Sequence, residues 1–432
     1  MKKQIKKKDS LYIWHPFTQS RKSYDPLVIN SARNERIFDI DGNEYVDLIS
    51  SWWVNIHGHC KKEIINEINS QLKRFEQVMF TDFTHKPAVD LAEKLVSILP
   101  ENLKKVFYSD NGSTAVEIAM KVAIQYWYNK GRKKKKFLSM KGNYHGDTFG
   151  AMSVGFTSGF YDPFKDFLFD SKFISFPSIW EGKNDIEKDE DYTLSQIDRV
   201  LSENKDEIAA VILEPLIQGA GGMNICRKEF FDKMVGKFKK SGILVIFDEV
   251  MTGFGRTGKM FASDHLVEKP DIICLAKSIT GGYLPLAATV FSEKIHSEFL
   301  GENIGKAFLH GHSYSANPLA CAAALASIEI FNKEKTLKKI KKISLIHQQC
   351  LKDVSKKLNV SKIRHLGTIA AFDLMNFDKG YGSDEGNSLK KKFLKEGLLI
   401  RPLGQTIYLM PPYCISEDCL YESYEKIIKI LS

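Results

Sequence analysis

Asp248 and Lys277 each close a short apolar run: Ile243-Leu244-Val245-Ile246-Phe247 leads into the acid, and Ile272-Ile273-Cys274-Leu275-Ala276 into the amine. Runs of this length and branching read as strands buried on both faces of a parallel sheet. The carboxyl ends of such strands are where open α/β sheets bind ligands. A lysine able to form a Schiff base, with an acid able to pair with a pyridinium nitrogen, is the pair that pyridoxal phosphate (PLP) chemistry requires. Two ordinary polar strand ends are the competing reading, so other residues must decide.

Asn111-Gly112-Ser113-Thr114-Ala115-Val116-Glu117 follows another apolar run. Thr114 and Glu117 have capping-box spacing, which predicts a helix start. Gly112 and Ser113 would then offer backbone amides at a helix N-terminus, a seat for a phosphate; a plain cap explains them equally. In Gly142-Asn143-Tyr144-His145-Gly146-Asp147, Tyr144 suits a ring laid on a flat cofactor with its hydroxyl free, while His145 and Asp147 read as turn formers.

Gly253-Phe254-Gly255-Arg256-Thr257-Gly258-Lys259 fits G-x-x-x-x-G-K, the phosphate loop of nucleotide hydrolases, but Met260 stands where that loop needs Ser or Thr for magnesium. A better use for Arg256 is an ion pair inside the site, with Asp147 as candidate partner. His310 and His312 lack a third ligand at metal spacing, so no metal is expected, whereas residues 312–313 offer a second phosphate contact. Arg401 ends the run Leu399-Ile400 and suits bidentate capture of a carboxylate; a surface arginine is the alternative.

The elements that must position these residues follow from periodicity. Residues 1–55 hold a lysine-rich tail and then a strand–turn–strand pattern over 36–47, with Asp41-Gly42 as the hairpin turn. From 56 to 325, helical segments alternate with apolar runs at 106–108, 136–140, 210–213, 244–247, 272–275 and 287–291, repeated β–α units that predict a mostly parallel sheet. An alanine-rich helix is expected over 319–328. Beyond about 326, Leu337, Ile340, Ile343, Ile346, Cys350, Val354 and Leu358 recur at helical steps, and runs at 370–374 and 398–401 complete a smaller α+β lobe. The division expected is a segment 1–55 joining the small domain, a large PLP-binding domain 56–325, and a small domain 326–432.

A chain of 432 residues exceeds what one compact core usually holds. Its 62 Lys+Arg against 53 Asp+Glu give +9, much of it in 1–8 and 132–136. Such runs are usually solvated surface, and no nucleic-acid recognition module accompanies them. The 7 cysteines are scattered without a C-x-x-C pair, which favours free thiols in a reducing compartment. With neither a signal peptide nor a bilayer-length apolar run, the expected location is the cytoplasm, without membrane or nucleic-acid partners.

Together, Phe247-Asp248-Glu249-Val250, Thr252 to Gly258 and Ala276-Lys277-Ser278-Ile279-Thr280-Gly281-Gly282 resemble the class III aminotransferases, PLP enzymes of fold type I. That resemblance implies an α/β fold like that of aspartate aminotransferase, with a seven-stranded, mostly parallel sheet and a smaller α+β domain, working as a homodimer. Trp14-His15-Pro16-Phe17-Thr18-Gln19, Ser51-Trp52-Trp53, Tyr144-His145-Gly146-Asp147 and Ile400-Arg401-Pro402-Leu403-Gly404 are similar to the branch that serves biotin biosynthesis. This implies amino transfer from S-adenosylmethionine to 8-amino-7-oxononanoate. By the same resemblance Lys277 binds PLP covalently and shuttles the proton, Asp248 keeps the ring nitrogen protonated and Tyr144 stacks on the ring. Gly112 and Ser113 bind the phosphate, which His312 and Ser313 reach from the partner subunit. Arg401 takes the substrate carboxylate, Trp52, Trp53 and Gly311 line the pocket, and Phe17, Asp147, Arg256 and Tyr408 join Tyr144 and Lys277 around the substrate. Many relatives have tyrosine at Phe17, so lysine stays open as an alternative amino donor, although the paired tryptophans favour S-adenosylmethionine. An ornithine- or 4-aminobutyrate-type transaminase, and a magnesium nucleotide hydrolase using 253–259, are the other readings.

Overall fold

Seven strands form the central sheet: β1 Leu103–Ser109, β2 Lys136–Met140, β3 Ser171–Ile174, β4 Ile208–Leu213, β5 Leu244–Asp248, β6 Ile272–Leu275 and β7 Ala287–Ser292. Their spatial order is β1-β7-β6-β5-β4-β2-β3. All run parallel to their neighbours except β7, which is antiparallel to both β6 and β1. The computed structural model describes residues 1–20, 25–156, 161–377, 380 and 382–432.

Every residue of β4 and β5 is buried, which is why these strands read as unbroken apolar runs and not as alternation. The alternation reappears in what they touch. Val211, Leu213, Val245, Phe247, Ile273 and Leu275 join one core cluster; Ala210, Ile212, Leu244, Ile246, Ile272 and Cys274 join another. Side chains of period two therefore feed two separate layers. The first layer includes Phe230, Phe231, Met234 and Phe238 of the helix Lys228–Lys240. The second is filled by the helix Gly112–Asn129, whose buried Ala115, Ala119 and Ala123 let it lie close on the sheet. Burying each Leu, Ile or Phe contributes about 1.5–3 kcal/mol, enough to fix the register of the strands that carry the site.

The other elements form where periodicity put them. The hairpin Arg36–Asp39 and Glu44–Asp47 turns at Gly42, whose φ of +87° only glycine adopts easily. The alanine-rich helix runs Pro318–Lys333 and the amphipathic helix Thr336–Lys357. The strands Val360–Leu366, Ile369–Leu374 and Thr406–Leu409 make a small sheet. Glu44–Asp47 pairs in parallel with Leu398–Leu399, tying the start of the chain to its end. Among the described residues, no helix is long and apolar enough to cross a membrane.

One expectation shifts. The helix after β1 starts at Gly112 with Asn111 as N-cap, and Thr114 is the partner residue of its capping box, not the cap. Glu117 leaves its own helix and accepts from Thr148 Oγ1 and from Ala151 N at 3.1 Å, serving the start of the helix Phe149–Val154. The donors of a nearby helix offer this carboxylate more than its own first turn does.

Candidate active site

Asp248 is the last residue of β5 and lies in register with Cys274 of the adjacent parallel β6. The chain leaving β6 therefore enters the same edge of the sheet and reaches Lys277 there. Lys277 opens the 3-10 turn Lys277–Thr280 with a φ of 46°, a left-handed backbone that costs a lysine about 1–3 kcal/mol. The buried Ala276, Ser278, Ile279 and Thr280 around it hold the strain in place. Asp248, Lys277, Tyr144, Gly112, Ser113 and Trp53 all line one cavity of about 500 Å³, a volume suited to a small molecule.

The cavity holds opposed charges on buried side chains. Burial lowers the Lys277 amine below the usual lysine range, against the pull of Asp248 and Glu214; a buried amine sheds its proton more readily. Asp248 Oδ1 accepts from Val250 N at 3.0 Å and Oδ2 faces His145 Nδ1 at 2.7 Å. Glu214 accepts from Tyr144 N and Gly219 N, both at 2.9 Å. Burial pushes its carboxyl up to about 7, with Asp248 adding to the rise. Tyr144 OH donates to Asp147 Oδ2 at 2.8 Å, and burial first, then Asp147, raises its phenol well above the usual range. That proton stays on the ring oxygen.

Two glycines let the walls approach. A Cβ on Gly112 would sit 2.7 Å from Val250 Cγ1, and one on Gly146, with its φ of +131°, would sit 2.1 Å from Ser113 Oγ. The start of the helix Gly112–Asn129 thus packs on Val250 through Gly112, and the Ser113 side chain packs on Gly146 of the loop that carries Tyr144.

A second cluster adjoins the first through the two tryptophans. Lys277 Nζ lies 5.0 Å from the Trp53 ring, and Trp53 Nε1 donates to Tyr408 OH at 3.0 Å. The Arg401 guanidinium lies 4.8 Å from the ring of Trp52, which Phe17 meets edge-on at 5.5 Å. Ser51, Trp52 and Trp53 all have positive φ, of 59°, 154° and 70°. Buried Asp47 braces this bend by accepting from Ile49 N at 3.3 Å and from Ser51 N and Oγ at 2.9 Å.

Two readings of the sequence, for Arg256 and His145, meet a different arrangement, and the disfavoured phosphate loop gains no support. Arg256 forms no ion pair with Asp147: fully buried, it donates to Pro411 O and Trp53 O at 3.2 Å and to Asn55 O at 3.3 Å. The carbonyls of a strained loop lie nearer than any carboxylate, and Asp147 is already held by Tyr144. The 253–259 segment is not a phosphate loop. Its amides at Gly253, Gly255 and Gly258 donate to Glu249 O, Met260 O and Gly255 O, each at 3.0 Å, leaving none of these three for an anion. His145, read as a turn former, instead backs Asp248.

Gly311, His312 and Ser313 do not line the cavity of their own chain. His312 Nδ1 stands 2.6 Å from Asp110 Oδ2 at its rim, and Ser313 O accepts from Gln77 Nε2 at 3.0 Å. Glu214, Asp47 and His145 are the functional candidates that sequence reasoning passed over. Glu214 carried a usable signal, since it ends the apolar run of β4 as Asp248 ends that of β5.

A family model described as aminotransferase class-III matches residues 18–431. The chain belongs to this family. The adenosylmethionine-8-amino-7-oxononanoate aminotransferase of Synechococcus elongatus is 43% identical over 97% of this chain and 98% of its own. The protein of that name from Staphylococcus aureus is 41% identical over 96% and 94%. The crystal structure of the Methanocaldococcus jannaschii enzyme of that name superposes with a TM-score of 0.93 at 37% identity, covering 100% of this chain and 99% of the other. An amine transaminase from an uncultivated Pseudomonas species, solved in its PLP-bound form, gives a TM-score of 0.91 at 30% identity, covering 97% and 98%.

The residues of this class-III aminotransferase fit pyridoxal phosphate, the cofactor of the family. Lys277 would offer the amine and Asp248 the acid. Tyr144 would offer a ring, and the start of the helix Gly112–Asn129, in the same cavity, would offer amides to a phosphate.

Proposed function

We propose that the protein transfers an amino group from S-adenosylmethionine to 8-amino-7-oxononanoate, giving 7,8-diaminononanoate for biotin biosynthesis. The observation that carries this reading is that two consecutive tryptophans divide the site, Trp53 beside Lys277 Nζ and Trp52 beside the Arg401 guanidinium. Aromatic walls with a guanidinium close by suit a long apolar substrate that ends in a carboxylate.

When bound, PLP supplies an electron-withdrawing ring that takes up the charge left when a substrate carbon loses its proton. This chain's residues supply the rest. Lys277 would hold the cofactor through Nζ, and the same amine is placed to take a proton from a substrate carbon and give it back. Its lowered proton affinity suits both tasks. Asp248 would stabilise positive charge at the ring nitrogen, Tyr144 would wall the ring, and the amides of Gly112 and Ser113 would hold the phosphate. Arg256 acts on substrate through the Trp53–Asn55 backbone that it clasps.

The working enzyme is a cytoplasmic homodimer in which His312 and Ser313 complete the phosphate seat of the neighbouring protomer; both stay outside the cavity of their own chain, which suits that role. The catalytic cleft lies between a large domain, 56–325, and a small one built from 1–55 and 326–432. Pairing of Glu44–Asp47 with Leu398–Leu399 supports that grouping.

The test supplies S-adenosylmethionine and lysine separately with the oxononanoate and measures the diamine. Product is expected with S-adenosylmethionine alone. Discharge of the cofactor by ornithine or 4-aminobutyrate, with none by S-adenosylmethionine, would overturn the reading. Arg401→Met should raise KM for the oxononanoate about 10- to 100-fold, the worth of a charge-assisted contact of about 1.5–3 kcal/mol, and leave the donor half-reaction nearly unchanged. An unaltered KM would remove Arg401 from the substrate site.

A further inference from the structure

Behind Asp248 lies a chain of buried polar groups that the reaction above does not use. Gln218, Asn143, His145 and Asp248 are 1%, 0%, 3% and 5% exposed. Gln218 Nε2 donates to Lys141 O at 2.9 Å and to Asn143 Oδ1 at 2.6 Å. Asn143 Nδ2 lies 3.2 Å from Ser139 Oγ and 3.3 Å from His145 Nε2. His145 Nδ1 completes the chain on Asp248 Oδ2 at 2.7 Å.

The direction of this chain is set at one end by an atom that cannot change role. A backbone carbonyl only accepts, so the Gln218 atom facing Lys141 is its amide nitrogen. The Asn143 atom facing that nitrogen must accept, which makes it Oδ1 and turns Nδ2 toward His145. An amide nitrogen only donates, so His145 Nε2 must be bare and the ring proton must sit on Nδ1. We propose that Gln218 and Asn143 are positioning residues that lock His145 in the tautomer whose Nδ1–H donates to Asp248. The opposite tautomer would aim a lone pair at the carboxylate and favour its protonation, ending its charge toward the cavity. The backbone has made room for the lock: a Cβ on Gly142 would stand 2.6 Å from Gln218 Oε1, and one on Gly221 2.3 Å from Gly142 O.

This inference rests on the proposed role of Asp248 at the cofactor ring. Its test reads the tautomer directly, in PLP-loaded enzyme labelled with 15N-histidine, with the His145 signals assigned by their loss in His145→Gln. Wild type should show a protonated Nδ1 and a bare Nε2. Asn143→Asp presents an acceptor to Nε2 and should leave both nitrogens protonated, with kcat about 10- to 100-fold lower, the usual cost of removing a group that orients a functional side chain. Gln218→Met removes the donor that fixes which Asn143 side-chain atom faces His145 and should diminish the Nδ1–H signal, which decides the matter if Asn143→Asp does not fold. A protonated Nε2 in wild type, or His145 signals unchanged in a folded variant, would overturn the lock. Failure of S-adenosylmethionine to react while the nitrogen pattern holds would count against the proposed function alone.

Discussion

Lys277→Ala should end turnover while leaving the fold intact. A positioned proton-transfer group contributes about 10²–10⁴-fold, and this residue is also the covalent anchor, so a loss of at least about 10³-fold is expected. The fold should survive because the left-handed φ of 46° stays equally strained with alanine, and removing a buried amine relieves its desolvation. Lys277→Arg is the sharper control. It keeps the positive charge beside Asp248, yet guanidinium does not give up its proton in a protein. Arginine should therefore be as inactive as alanine if the residue works as a base. Product formation in a single turnover, together with the thermal midpoint, checks both variants. Appreciable diamine from either would remove Lys277 from the mechanism.

Asp248→Asn should lower kcat about 10²–10³-fold, the range seen when a preorganised electrostatic contact is deleted from a buried site. Shape is nearly conserved, so the loss reports charge. Asparagine also has one acceptor where two are in use, for Val250 N and His145 Nδ1. One donor must then be left facing an amide NH₂, and an unsatisfied buried group costs about 1–3 kcal/mol. A lower melting temperature should accompany the slower turnover. Were activity to stay within about fivefold of wild type, charge at that position would not be needed for the reaction.

Much of this site could be read along the chain because its key groups sit where regular elements end. Asp248 closes β5, Lys277 follows β6, and Gly112 opens a helix; each place follows from local periodicity and capping. The same local signals gave the hairpin at Gly42 and the amphipathic helix Thr336–Lys357. Harder to read were the polar residues in between, whose types announce a capacity to bond without naming a partner. Arg256 was matched with an acid and found three carbonyls; Glu117 was matched with its own helix and found another. His145 looked like part of a turn and reached Asp248, far along the chain.

Sequence alone determined which atoms this protein could bring to chemistry and which ends of which strands would carry them, since hydrophobic period and chain direction are local properties. Tertiary structure decided who meets whom. Trp53 finds Tyr408, Glu44–Asp47 finds Leu398–Leu399, and Gln218 finds Asn143 only after the sheet and its helices have packed. The reason is that a buried polar group must be satisfied by whatever folding brings within about 3 Å. That neighbour is chosen by the apolar core, through contacts far apart in the chain.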